Sequence, residues 1–464
     1  MAGQAAAGLW TTTEEAPAAR WLDAEDATTR QALAWAMEHD TPVALRLANA
    51  LAWWWFLRGR LAGEYRLLCQ AAGYAGAGSG GWCAAQLWLG WTAQSSADLA
   101  ASLGHFTAVR DAVAGRPPSR ALAAALAGRA STLLLMGRAA EAAGDARRSL
   151  TLARETGNPG AEVLALAELS LGAGYAGDHD EAVRLARQAG QITAGIPGGL
   201  ARLCSSVLTI VLADAGDLAE AGRAGAAGLA RARDAGDLWN QVLLLSRIVD
   251  LDVRADRTGE AAAHLREGLR LAVRTGYWSG LLPCISQCGD LCAATGRAAE
   301  ALTLWAACAA VDQHQGPTNP PWYLTRREEQ LRHARQALGP GRARAAEDRG
   351  AAMSLATATE YALMLTDPSP LPSTAGPGQL SARERELVTL IAQGRTNAQI
   401  AAELQISVCT VGSHLDRIRD KTGCHRGPEM PVRLICAITE RCPVPARGPS
   451  CAAGACLASP APGR

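Results

Sequence analysis

The sequence holds a single lysine, Lys421, in the stretch "RDKTG". A phosphate-cradling loop of the P-loop kind needs glycine immediately before that lysine, and Asp420 stands there, so P-loop ATP hydrolysis is excluded on this chain. Aromatic residues make up only 5% and β-branched residues are sparse, which argues against a sheet-rich core. No uninterrupted apolar run reaches membrane-spanning length. The first twenty residues, "MAGQAAAGLWTTTEEAPAAR", lack the basic start and continuous apolar run of a signal peptide. Thirteen cysteines are scattered without one C-x-x-C pair. A reducing cytoplasm, with thiols used as small apolar groups, is the expected setting. The net charge of +1 offers no bulk attraction to nucleic acid or anionic lipid, so any DNA-binding surface must be local.

What is abundant is alanine, leucine, glycine and arginine, with 49% apolar residues over 464 positions. Alanine and leucine are strong helix formers, so an all-α protein of two or three domains is expected.

Five stretches align: "MGRAAEA" (136–142), "AGDHDEA" (176–182), "AGDLAEA" (215–221), "DRTGEAA" (256–262) and "TGRAAEA" (295–301). Glu141, Glu181, Glu220, Glu260 and Glu300 recur at about 40 residues, the mark of stacked helical hairpins. "SADLAAS" (96–102) fits the register more weakly, and "RGRLAGEY" (58–65) can open an earlier unit. In one unit, an apolar helix 161–175 should end at Gly177 in a left-handed cap. Asp178 or Asp180 should then start a helix from Glu181 to Ile192 whose Ala182, Leu185, Ala186 and Ala189 face inward. Stacking such units buries faces that one hairpin cannot bury alone and gives a gently curved superhelix. The pattern resembles tetratricopeptide repeats, with a longer period than the usual 34 residues. Such concave faces commonly bind a protein, peptide or small ligand; the alternative is a passive spacer.

Three features invite other chemistry. Cys284, Cys288 and Cys292 share a helical face, which fits either a metal or redox cluster or the buried side of a repeat helix. Trp53, Trp54 and Trp55 point in three directions and suit packing between adjacent hairpins. His179, His264 and His333 are isolated and show no ligand spacing. No cofactor motif, metal motif or nucleophile–base pair emerges, so an enzyme is not expected.

The prolines of "QGPTNPPWYLTRREEQ" (315–330) mark a loop, with Trp322 placed to anchor the helix that follows. Helical patterns run through 326–338 and 344–365. Residues 366–379, "TDPSPLPSTAGPGQ", have the composition of an extended linker. The expected organisation is thus a disordered 1–20, a repeat domain 21–365, the linker 366–379, a small helical domain 380–440 and a disordered tail 441–464.

In the small domain Ser381 and Glu384 form an S-x-x-E capping box, followed by Leu387, Leu390 and Ile391 at helical spacing, with Gly394 as the stop. Thr396 and Gln399 form a second box before Ile400, Ala401 and Leu404. After the turn "LQIS", Ser407 caps a third helix with Val411, Leu415 and Ile418 inward. Three short helices with this turn make a helix-turn-helix, whose second member enters the major groove. Residues 380–424 closely resemble the LuxR-type helix-turn-helix, matching at Leu380, Arg383, Glu384, Glu386, Gly394, Asn397, Ile400, Ala401, Leu404, Ile406, Ser407, Thr410, Val411, His414, Ile418 and Lys421, with Arg426 just beyond. The stretches 21–39 and 350–363 also resemble the helical part of the large ATP-binding LuxR regulators. Those carry an ATPase ahead of the repeats, and this sequence starts where it would have ended.

The resemblance implies DNA contacts at Thr396, Asn397, Ser407, Thr410, Val411, Ser413, His414, Arg417, Lys421 and Arg426. Thr396 and Asn397 open the second helix, where backbone amides and side chains can hold a phosphate. The base-reading positions carry Gly412, Ser413 and Asp416, a depleted reading face. Gly412 costs its helix about 1 kcal/mol relative to alanine. Asp416 repels phosphate, although it can accept from a cytosine amino group. The stretch 427–440 corresponds to the family's dimer helix, with Pro431 in its first turn. Cysteines in the tail fit no common zinc spacing. The resulting expectation is a cytoplasmic transcriptional regulator that binds double-stranded promoter DNA as a homodimer, its repeats receiving a protein or small-ligand partner. The alternative is a repeat scaffold whose terminal domain has lost DNA affinity.

Overall fold

The computed structural model describes residues 14–366 except 194–197 and 316–320, and beyond that 382–392, 395, 399, 400, 404, 411, 414, 415 and 418. The described residues form twenty α-helices and no strand, as the composition predicts. They fall into two compact units, Met1–Pro368 and Ser369–Arg464.

The first unit begins with α1 (Glu15–Ala24), α2 (Asp26–His39), α3 (Thr41–Leu57) and α4 (Leu61–Ala72). Hairpins follow: α5 (Gly80–Ser95) with α6 (Leu99–Ala112), α7 (Arg120–Leu135) with α8 (Ala139–Glu155), and α9 (Pro159–Tyr175) with α10 (His179–Ile192). Then come α11 (Gly198–Asp214) with α12 (Leu218–Asp234), α13 (Leu238–Arg254) with α14 (Thr258–Thr275), and α15 (Trp278–Ala294) with α16 (Ala298–Gln315). The unit ends in α17 (Pro321–Leu338), α18 (Pro340–Ala351) and α19 (Leu355–Thr366).

The α9–α10 hairpin shows why these residues fold so. Pro159 sits in the first turn of α9, and the Asn158 side chain accepts from the Ala161 amide at 3.2 Å. Gly177 takes the left-handed conformation, φ 84°, which a side chain would strain. Asp178 caps the next helix by accepting from the Glu181 amide at 3.2 Å, so α10 starts at His179 rather than Glu181. Ala182, Leu185, Ala186 and Ala189 are buried, and the Ser170 hydroxyl donates to the Ala182 carbonyl at 2.7 Å.

Odd-numbered helices from α3 to α15 each pack against the next odd-numbered helix and form the inner layer, whereas successive outer helices lie farther apart. Small residues allow the close approach. The Phe106 ring of α6 wedges between Gly90 of α5 and Gly128 of α7, within 2.6 and 2.4 Å of where a Cβ would stand.

The curvature is tighter than the gentle superhelix the repeat pattern suggests. Helix α3 touches α13, and α5 touches α15, each five hairpins further along. One superhelical turn therefore takes five hairpins, and successive turns meet. Phe56 packs on Trp239 with ring centroids 4.9 Å apart. Arg58 donates to the carbonyls of Ala235 at 3.0 Å and Gly236 at 2.6 Å. Ser279 Oγ donates to the Ser95 carbonyl at 3.3 Å. Where an added Cβ on Gly199 would stand, the Trp53 ring lies 2.2 Å away, so only glycine admits that indole. The three tryptophans thus do more than join adjacent hairpins. All are buried; Trp54 donates to Asp23 at 2.9 Å, and Trp53 reaches the start of α11.

Helical order begins ahead of Trp21. Helix α1 starts at Glu15, a buried carboxylate held by Arg202 of α11. The single helix expected over 344–365 is two. Ser354 accepts from the Thr357 amide at 3.1 Å and starts α19 afresh. Gly350, at the end of α18, lies so close to the Thr303 carbonyl of α16 that a Cβ would sit 2.0 Å from it. Helix α19 packs on α14, α15 and α16 and ends at Thr366. Cys284, Cys288 and Cys292 are buried in this packing, 1%, 0% and 0% exposed, which places them as core of the repeat helix. Among the described residues no group of three metal-ligating side chains is placed to hold a metal, and no helix is long and apolar enough to cross a membrane.

Candidate nucleic-acid interface

In the second unit α20 (Ala382–Ala392) carries Glu384 in its first turn. Its Leu387, Val388 and Leu390 are buried with Ile400, Val411, Leu415 and Ile418, and Leu404 packs against them. The stripe read from the sequence supplies this core at Leu387, Leu390, Ile400, Leu404, Val411, Leu415 and Ile418, and Val388 adds to it; the side chains of Ile391 and Ala401 lie outside the described residues. Ile400 and Leu404 are one helical turn apart, with the Leu404 amide donating to the Ile400 carbonyl at 2.9 Å. Val411, His414, Leu415 and Ile418 are helical and buried, at the spacing of one face of a helix. Three helical segments thus share one apolar centre, which fixes the third against the first two.

Two of the sequence-predicted DNA-contacting residues lie within this description. Val411 is fully buried and His414 is 4% exposed, so both act here by packing the third helical segment. Glu384 is likewise buried. Thr396, Asn397, Ser407, Thr410, Ser413, Arg417, Lys421 and Arg426 lie outside the described residues, as do the Ser381 end of the first capping box, the linker from 367 to 379, the stretch 427–440 and the tail.

Residues 378–431 match the family model of the bacterial regulatory proteins of the luxR family. The small domain is therefore a LuxR-type helix-turn-helix domain, with the three-segment core just described. No curated protein matches the sequence. Among solved structures, a Rap protein complexed with competence and sporulation factor is similar at TM-score 0.52 and 11% identity, over 79% of this chain and 100% of that one. The Cut9–Hcn1 hetero-tetramer of the APC/C gives TM-score 0.43 at 14% identity, over 70% of this chain and 60% of that one. A STAND protein with a tetratricopeptide-repeat sensor, from Pyrococcus horikoshii, gives 0.35 at 15% identity, over 71% and 46%. The first likeness shows the fold of the long unit, a tetratricopeptide-like helical-repeat coil.

Proposed function

We propose that the protein is a cytoplasmic, DNA-binding transcriptional regulator whose helical repeats receive a partner or ligand and whose terminal helix-turn-helix binds promoter DNA as a homodimer. The observation that carries this reading is the LuxR-family match over 378–431, on a sequence whose Leu387, Ile400, Val411, Leu415 and Ile418 pack into one core. Such a core holds a recognition helix rigidly enough to enter a major groove.

In this reading Thr396 and Asn397 grip a phosphate, Ser407 and Thr410 fix the start of the recognition helix, and Ser413, Arg417, Lys421 and Arg426 face the duplex. Val411 and His414 set the helix at its angle from inside. The domains divide at 366–379, with the repeats ahead of that stretch and the DNA-binding domain at 380–440. The likeness of the repeats to a Rap protein that was solved with a bound factor supports a receiving role for the long unit. With Gly412 and Asp416 on the reading face, one copy binds weakly, and two copies on adjacent half-sites gain by avidity.

Gly412 and Asp416 also favour a second reading, a repeat scaffold whose terminal domain no longer holds DNA. Gel-shift titration of the purified chain against its own upstream region, across salt concentrations, separates the two. A regulator shows a preferred sequence and an affinity that falls steeply with salt. A scaffold shows neither.

A further inference from the structure

A solenoid is held together by contacts between neighbouring hairpins. A contact between distant hairpins is an addition, and it can part while every helix and every neighbour contact stays in place. The repeat unit has such an addition along one seam, where α1, α3 and α5 meet α11, α13 and α15. Its apolar ties are Phe56 against Trp239 and the Trp53 ring over Gly199. The Gly59 turn lies so close on Thr275 that a Cβ would stand 2.3 Å from the threonine Cβ. Its polar ties are reciprocal. Arg58, just past α3, reaches across to the carbonyls of Ala235 at 3.0 Å and Gly236 at 2.6 Å, and Arg202 of α11 reaches back to Glu15 of α1 at 2.7 Å.

Closing this seam is costly as well as favourable. Glu15, Arg202 and Asp237 put two carboxylates and one guanidinium out of reach of solvent. Beside them Asn240 donates from Nδ2 to Asp237 at 2.6 Å and to the Gly199 carbonyl at 3.1 Å. Asn240 is wholly buried, and its Oδ1 meets no protein donor among the described residues. Desolvating paired charges and an unsatisfied acceptor offsets much of what the contact gains. The seam thus specifies how two turns meet more than it stabilises the coil. Opening it unfolds no helix, because the required movement divides into small rotations over the five hairpins of one turn.

We propose that the seam is the moving part of the repeat unit, a clasp that opens and closes as one body between a closed coil and a coil with its turns parted. A partner that binds one of the two states more tightly shifts the balance between them. The inference goes beyond the function proposed above and does not depend on DNA.

The test places a thiol at one end of the seam and weakens the seam elsewhere. Ser279→Cys puts sulfur where the hydroxyl now meets the Ser95 carbonyl, between α15 and α5. Its alkylation by iodoacetamide in the full chain is followed by peptide mass spectrometry. Cys83 and Cys204, buried between neighbouring hairpins, serve as controls. Arg58→Ala removes a cation from the seam, and Gly199→Leu wedges the Trp53 ring away. In the Ser279→Cys background each should speed alkylation at 279 about tenfold or more, the size of one lost hydrogen bond to a charged group. Cys83 and Cys204 should stay as slow as before, with unchanged helical circular dichroism. An unchanged rate at 279 in either variant overturns the proposal, because the seam then does not move as one body. A rise at all three thiols, or a loss of helix, also overturns it, because the seam then opens only as the hairpins unfold. The measurement uses no DNA, so its failure leaves the regulator reading to the gel shift.

Discussion

Arg202 of α11 lies between Glu15 of α1 and Asp237, the residue that caps α13, at 2.7 Å from an oxygen of each. All three side chains are buried, and they tie the first helix to a helix pair far along the chain. Arg202→Ala leaves two carboxylates buried without a cation. We expect a loss of about 3–5 kcal/mol in urea unfolding. The triple variant Glu15→Gln, Arg202→Met, Asp237→Asn, which keeps the cap through the Asn side chain, should regain at least half of it. A loss below about 1 kcal/mol for Arg202→Ala, the size of an exposed ion pair, would show that this triad does not hold the turns of the coil together.

The turns between helices carry a second expectation. Gly137, Gly177, Gly216 and Gly296 take positive φ at one register of the repeat, and Ala97 and Asp256 occupy the same register with φ 63° and 57°. A side chain in that conformation costs about 1–2 kcal/mol, partly offset by the freer unfolded chain that glycine brings. Ala97→Gly and Asp256→Gly should each raise the stability by about 0.5–1 kcal/mol, read as a shifted denaturation midpoint at unchanged slope. Ala97→Val should lower it. An unchanged midpoint for both glycine variants would mean that the surrounding contacts, not the backbone, set these turns.

Much of this was legible because it is local. The glutamates at about 40-residue spacing, the Asp178 cap and the Gly177 stop act within a few residues, so the hairpins could be read directly. The stripe Leu387, Ile400, Val411, Leu415 and Ile418 was readable for the same reason. What could not be read is the closure of the coil. Glu15 and Arg202 are 187 residues apart, and nothing near either of them signals the other. Glu168 appears in the sequence as the second acid of an apolar helix, and only the packing of the inner helices shows that its carboxyl is buried with the Ser131 hydroxyl as its partner. His414 reads as a groove contact from its place in the motif, yet it follows Val411 by three residues and precedes Ile418 by four, which turns it toward the core.

Glu168 gives a pH dependence. Its carboxyl is raised by burial from 4.5 to about 7, with the Ser131 hydroxyl opposing and Tyr175 nearby. Between those values the folded protein holds a proton that the unfolded chain has released. Stability from this group is therefore full below about 4.5 and is lost as pH rises through about 7. The loss is on the order of 2 kcal/mol, discounted for the surface the carboxyl retains. Melting temperatures of the wild type and Glu168→Gln, followed from mildly acidic to mildly basic buffer, should diverge, with the variant the more stable at the basic end. Parallel curves would place the carboxyl in contact with solvent or a cation.

The DNA-binding face carries the last prediction. If Arg417 and Lys421 meet phosphates, Arg417→Ala and Lys421→Ala should each weaken binding about equally on specific and non-specific duplexes, and each should lower the salt slope by about 1. Asp416→Asn should do the reverse, raising affinity without changing the slope of the remaining contacts, because in the proposed reading it removes a negative charge from the DNA-facing side. Ser413→Ala should alter sequence preference more than affinity if it reaches a base edge. The pattern across the four variants decides more than any one of them. Equal behaviour of all four with wild type, at low ionic strength, fits the scaffold reading, in which Gly412 and Asp416 are marks of a face no longer used. A drop for the two cations with a gain for Asp416→Asn fits a reader that binds weakly as one copy and depends on a second.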